Sequence, residues 1–289
     1  MALWLSLIHL HEKKTFSQNA EDGILRYIFA NVGTTDKYYV EFGVQDGSER
    51  NTRLLAEKYN WTGLLMDGGN SNKAINLHRT FISTRNIRSL FQKYRVPREF
   101  DLLSIDLDTC DLWVWRKLCG GVRHKQWRPR VVVAEFNRNY DLYEYFTFPD
   151  DSKNFWQGDQ LMGASLSAFY LAGLQMDYRL VYVDRLGINA FFVRRDVLER
   201  FTNDAPTLES MHPAPLPIHA EMSAKRRALR VDYWKWSAQH NLSTFSLPAP
   251  LTLHAQDATQ RLPFKQYSVI SMLKNLLTFM SEGRLLDLG

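Results

Sequence analysis

The chain has 289 residues, 45% hydrophobic and 23% charged, enough to bury a sizeable core and too apolar for a disordered chain. Its formal charge of +5 excludes little, but the densest basic clusters, RRALR at 226–230 and RHKQWRPR at 123–130, are short. They read as solvated faces, so no nucleic-acid partner is expected.

Two cysteines, Cys110 and Cys119, give neither a disulfide framework nor a zinc spacing. The opening MALWLSLIHLHEKK lacks a basic leader and a cleavage site, and no stretch reaches the roughly 18 apolar residues of a membrane span. We therefore expect a cytoplasmic protein, with a lumenal or membrane-associated location as the alternative should an anchor be missing from the start.

Residues 1–15 read as an extension. Residues 18–31 form an amphipathic helix with Ile24, Tyr27 and Ile28 on one face. Tyr38–Phe42 is a strand, 50–59 a helix, and Thr62–Met66 a second strand ending at Asp67-Gly68-Gly69. A helix is expected over 71–80 and a short strand at Phe81–Ser83. Strands then follow at Asp101–Leu107 and Arg130–Phe136, with a helix at 111–119 between them. A helix at 160–174 leads to strands Tyr178–Val183 and Ala190–Arg194, joined by a turn at Gly187. Strands that are apolar throughout, alternating with helices, indicate a mostly parallel sheet covered on both faces, an α/β architecture. That domain is expected over 16–200. Residues 201–289, rich in proline near MHPAPLPIHAE and with helices expected at 221–240 and 266–280, read as an accessory segment.

The stretch YYVEFGVQDGSERNT carries the first functional signal. A strand ends in Glu41, then Gly43, Asp46 and Gly47, ahead of a helix that Asn51 and Thr52 open. Ligands of doubly wound sheets sit at the carboxyl ends of the strands. A dinucleotide site needs a second glycine where this chain has Gln45, and Asp46 would set like charge beside a phosphate. No P-loop Lys-Ser/Thr pair follows. The pattern suits a nucleoside without phosphates. S-adenosylmethionine fits, because carboxylates such as Glu41 and Asp46 suit its sulfonium and ammonium. Asp67, at the end of the next strand, stands where an acid holds ribose hydroxyls, with Gly68 beside it. Gly43 and Gly47 are expected to let the backbone approach the ligand. Asn51 and Thr52 are expected to bond the amino-acid end of the cofactor or to cap the helix.

The ordered series resembles the FkbM-like methyltransferases. It runs Ser17-Gln18, Glu21-Asp22, Val40-Glu41-x-Gly43-x-x-x-Gly47, Asn51-Thr52, Trp61-x-Gly63, Ile105-Asp106-x-Asp108-x-x-Asp111 and Glu135, over about residues 16–137. GASL at 163–166 and GINAFFVR at 187–194 look like the close of the same domain. The resemblance implies the Rossmann-like class I methyltransferase fold, a sheet with helices on both faces and an antiparallel C-terminal strand. It also implies O-methylation, often of a sugar hydroxyl, and Gln18 on the cofactor rim. Two departures stand out. The pattern D-x-E-G-x-E is here Asp106-Leu-Asp108-Thr-Cys-Asp111, and the usual Glu-Pro after the second strand is Asp67-Gly68. Some relatives have non-enzymatic roles, so a binding or trafficking module is the alternative.

Methyl transfer needs mainly positioning, which can supply about 7–11 kcal/mol. A base adds about 10²–10⁴-fold for a hydroxyl nucleophile. Asp106 is expected to contact the methionine moiety or the substrate, and Asp108 or Glu135 to act as the base. The alternative chemistry is a magnesium or calcium ion held by Asp108, Glu135 and Asn137; no metal is otherwise expected. The partner is a small molecule or a saccharide. Trp113, Trp115, Trp127 and Trp156 read as core packing or as the wall of an acceptor pocket.

Overall fold

The computed structural model describes residues 2–121, 125–150, 163–213, 230–240 and 242. Every described residue belongs to one compact unit, within residues 1–245. The helix expected at 266–280 and Trp156 lie outside the described residues, as does most of the proline-rich stretch.

Five strands build the core of the sheet because their residues are buried on both faces: β1 Tyr38–Phe42, β2 Thr62–Asp67, β4 Glu99–Ile105, β5 Arg128–Glu135 and β8 Asn189–Arg194. The edges are β3 Leu77–Arg79 and β7 Tyr178–Val183. The order is β3-β2-β1-β4-β5-β8-β7, and β8 alone runs antiparallel to its neighbours. The fold is thus mixed α/β with a seven-stranded, mostly parallel sheet of the Rossmann-like kind. A separate two-stranded ribbon pairs β6 Phe146–Thr147 with β9 Val231–Asp232.

Successive residues of each strand feed opposite faces of the sheet. On one face α1 Leu3–Leu7, a 3₁₀ turn at Ile8–His11, α2 Glu21–Val32, α3 Arg53–Tyr59 and α7 Arg195–Leu198 cover Tyr39, Leu65, Leu102, Val131, Val133, Phe191 and Val193. Trp4, Leu5 and Ile8 are buried in that core. On the other face lie α4 Ile87–Lys93, α5 Asp111–Cys119 and α6 Leu166–Gln175. There Phe91 packs edge-on against Phe42, Phe100 and Trp127, and Trp115 meets Phe169, Tyr178 and Phe192. Trp113, Trp115 and Trp127 are therefore buried in the core. Two short helices follow, α8 Leu208–Met211 and α9 Tyr233–Gln239; α9 sets Tyr233 and Trp236 against Trp113.

One stretch departs from the expectation. In place of a helix over 71–80 there is a 3₁₀ turn, Lys73–Ile75, capped when the Asn72 side chain accepts from Ala74 N. Asn76, at φ +56°, stops it, and edge strand β3 replaces the strand expected at Phe81–Ser83. An edge strand needs little apolar side chain, and only Leu77 of β3 is buried, so its pattern is weak. Helix α4 was not expected, although Ile87, Leu90 and Phe91 are its buried face.

The chain leaves β1 toward β2 on one side, and after β3 crosses to β4 on the other side of β1. That reversal opens a crevice at the carboxyl ends of β1 and β4.

Candidate functional site

Two adjoining clefts occupy that crevice and share Gly43 and Asp106. The first, about 170 Å³, is lined among others by Gln18, Glu21, Glu41, Asn51, Glu135 and Asn189. The second, about 330 Å³, is lined by residues including Asp67, Gly68, Phe81, Ile82, Leu107 and Asp108. Glu41 and Asp67 thus face neighbouring compartments of one crevice. Six carboxyl groups (Glu21, Glu41, Asp46, Glu49, Asp106 and Glu135) line the first cleft beside a single described cation, Arg50. The second cleft has Asp67, Asp106 and Asp108 and no described cation. Such a site rejects phosphate and suits a cationic ligand.

The loop from β1 to α3 spends its amides inward. Gly43 N donates to Met66 O, Gly47 N to Val44 O, and Ser48 N to the Asp46 carboxylate. Gln45, held at φ +50°, donates its N–H to Asp67 Oδ2 at 2.9 Å. Glu41 takes the N–H groups of Asn51 (2.7 Å) and Thr52 (3.0 Å) and the Thr52 hydroxyl (2.6 Å). Burial pushes the Glu41 carboxyl upward, and these donors oppose the shift. A phosphate-binding loop would aim such amides at its ligand.

Each of the two glycines has a steric reason within the protein. A Cβ on Gly43 would stand 1.7 Å from the Asp106 carbonyl oxygen, and its φ is +70°. Gly43 is small because β1 and β4 converge there. A Cβ on Gly47 would meet the Ile75 side chain at 2.5 Å. Thr52 is fully buried and lines neither cleft; it braces Glu41. Asn51 lines the first cleft and sends Nδ2 to Ser104 Oγ. Asp46 is an exposed rim residue.

Asp67 is similarly committed. Its Oδ1 accepts from Gly69 N, Asn70 N and Asn70 Nδ2, and, among the described residues, its Oδ2 from Gln45 N alone. A carboxylate offers about four lone-pair sites, so Oδ2 keeps one for a ligand hydroxyl.

The chemical centre lies where β4 and β5 end. Asp106, Asp108 and Glu135 each bring one carboxylate oxygen to within 4.8 Å of the others. Asp106 and Glu135 lie close enough for the charge of each to bear on the other. Burial pushes both upward, reinforced for each by the charges of its acidic neighbours, Asp111 and Asp108 included. Burial also raises Asp108, whose backbone sits at φ +62°. Behind them Asp111 opens α5 and accepts Leu107 N at 2.7 Å through Oδ1. Asp111 is 1% exposed and its Oδ2 has no hydrogen-bond partner among the described residues; burial pushes its carboxyl up to about 7. Asn137, two residues past Glu135, is buried, and its Oδ1 accepts from Asn139 N at 2.9 Å.

A scan against protein-family models finds no match, and neither does a search of curated proteins. The crevice therefore carries the functional reading on its own chemistry. It gathers Gln18, Glu41, Gly43, Asp46, Gly68, Asn51, Asp67, Asp106, Asp108 and Glu135 from five separate segments. It also includes residues the sequence did not single out. Asn189 of β8 donates Nδ2 to Glu21 Oε1 at 2.8 Å, 168 residues away in the chain. Phe81, 52% exposed, stands at the second cleft, an apolar ring where a base would stack.

Proposed function

We propose that the chain is an S-adenosylmethionine-dependent O-methyltransferase acting on a hydroxyl of a small or glycosidic acceptor, built on the class I methyltransferase fold. The observation that carries this reading is the crevice at the β1/β4 reversal, ringed by carboxylates and with its loop amides turned inward. It favours a cationic, phosphate-free nucleoside. The antiparallel β8 is the departure from a parallel sheet that this fold class carries. In this reading adenosine occupies the second cleft, with a ribose hydroxyl on Asp67 Oδ2 and the base near Phe81. The sulfonium and amino-acid end occupy the first cleft, among Glu41, Asn51 and Asp106. The base is Glu135, which lines the first cleft, or Asp108, which lines the second.

The test is a calorimetric titration with S-adenosylmethionine and S-adenosylhomocysteine. Micromolar binding that Asp67→Ala abolishes supports the reading; silence at millimolar ligand overturns it. A second reading, a non-catalytic module that keeps the fold, is favoured by the number of protein donors already held by Glu41 and Asp67. It predicts that silence.

A further inference from the structure

We propose that the surface built from α4, the turn after it and the C-terminal end of α5 docks on a bilayer rich in anionic phospholipid. The charge that makes this surface is segregated in the sequence. Residues 68–98 carry seven lysines and arginines and no acid, and residues 112–134 carry six and no acid. The chain as a whole is only +5, so the remaining residues are net acidic. Folding brings the two basic stretches together. The Arg88 guanidinium donates to the carbonyl oxygens of Lys117, at 3.2 Å, and of Lys125. Arg98 donates to the same Lys125 oxygen at 3.1 Å. Both guanidiniums lie against Trp127, Arg98 at 3.8 Å and Arg88 at 5.4 Å from a ring centroid. On the same segments Lys93, Arg95, Lys117 and Lys125 are exposed.

None of these six cations is paired with a carboxylate among the described residues. Glu99, the acid that adjoins them in the chain, is held by Arg128 and Arg194. Cations gathered without acids repel one another, and an anionic surface relieves that repulsion. The turn after α4 leads into β4 and Lys125 stands just before β5, so the patch lies where these parallel strands begin. The crevice lies where they end, and docking leaves it facing away from the lipid.

The shape selects lipid over nucleic acid. A single strand needs exposed rings to stack on, and Trp127 is 1% exposed beneath its arginines. A duplex needs an element that enters a groove, whereas α4 lies flat, with Ile87, Leu90 and Phe91 buried in the core. A cluster of this size on a flat surface suits a plane of lipid phosphates and carboxylates. This surface is independent of the methyl-transfer reading.

The experiment is co-sedimentation of the full chain with vesicles of phosphatidylcholine alone and with about one third phosphatidylserine. Binding to the second and not to the first is expected, and about 0.5 M salt should release it. Lys93→Gln and Arg95→Gln should each weaken it about fivefold. Lys125→Gln reads the same loss should Arg95→Gln, at φ +54°, fail to fold. Arg26→Gln and Lys58→Gln remove the same charge from exposed positions on α2 and α3, across the sheet, and should leave binding within about twofold. Equal losses in the two sets mean that net charge alone binds, and overturn the site. Binding to neutral vesicles, or to neither kind, also overturns it. Polyuridylate RNA retained by a chain that ignores the anionic vesicles overturns the choice of lipid.

Discussion

Replacing Asp111 by Asn isolates one buried charge and turns it into a measurable pH dependence. The folded carboxyl titrates at about 7, against about 3.9 in an unfolded chain. Between those values the native state holds a proton that the unfolded state has released, so raising the pH favours unfolding. The stability this group contributes is fully present below about pH 4 and is lost as pH rises through about 7. Each pH unit in that window is worth about 1.4 kcal/mol. Between about pH 5 and about pH 8, Asp111 alone should cost about 2–3 kcal/mol. Asparagine keeps an oxygen for Leu107 N and removes the titration. It also lifts a negative charge from Asp106 and Glu135, which shifts their contributions in the same direction. The assay is urea unfolding in EDTA across that pH range, followed by tryptophan fluorescence. The variant's midpoint should gain on the wild type by about 1 M between the two ends, for a slope of about 1–3 kcal/mol per molar urea. A flat difference curve, or a gain toward acid, refutes the picture of Asp111 as a buried charge without a partner.

Two substitutions test the junction of β1 with its loop. Gly43→Ala combines a left-handed backbone with a Cβ set 1.7 Å from a carbonyl oxygen. It should cost about 2–5 kcal/mol in urea unfolding. Gly121→Ala, where φ is +83° and nothing lies within 4 Å of the added carbon, should cost only about 1–2 kcal/mol; equal losses would remove the close approach as the reason for Gly43. Glu41→Gln leaves one of the three donors at Asn51 and Thr52 without an acceptor and should lose about 1–3 kcal/mol, read by the same unfolding curve. A neutral result would mean that the α3 terminus is satisfied some other way.

The parts legible in the sequence are those in which burial on both faces leaves a mark. β1, β7 and α5 carry the bounds expected of them, because Tyr38–Phe42, Tyr178–Val183 and Asp111–Cys119 each sit between clear breaks. Edge strand β3 was illegible, since Leu77, His78 and Arg79 answer to one neighbouring strand and to water. At the site, the residue types and strand ends were legible and their employment was not. The glycines suggested a ligand, yet Gly43 answers to the Asp106 carbonyl, a contact between residues 63 apart in the chain. Thr52 suggested a cofactor contact or a helix cap; it stands at the N-cap of α3 and its hydroxyl holds Glu41. Asn189 was legible only as part of GINAFFVR, because its partner is Glu21, 168 residues away in the chain.

The inward turn of the loop amides also bears on which ligands the crevice can take. A pyrophosphate needs donors, and at Gly43, Gln45, Gly47, Ser48, Asn51 and Thr52 the donors are already engaged by the protein. Releasing one would forfeit a bond worth about 1 kcal/mol or more, and the phosphate would then sit among carboxylates that repel it. A sulfonium, an ammonium or a metal ion meets the opposite situation. Each supplies positive charge to carboxyls that burial and mutual repulsion push upward, as at Asp106 and Glu135. Acids that would repel the phosphates of a dinucleotide would gain from a cation in the same place.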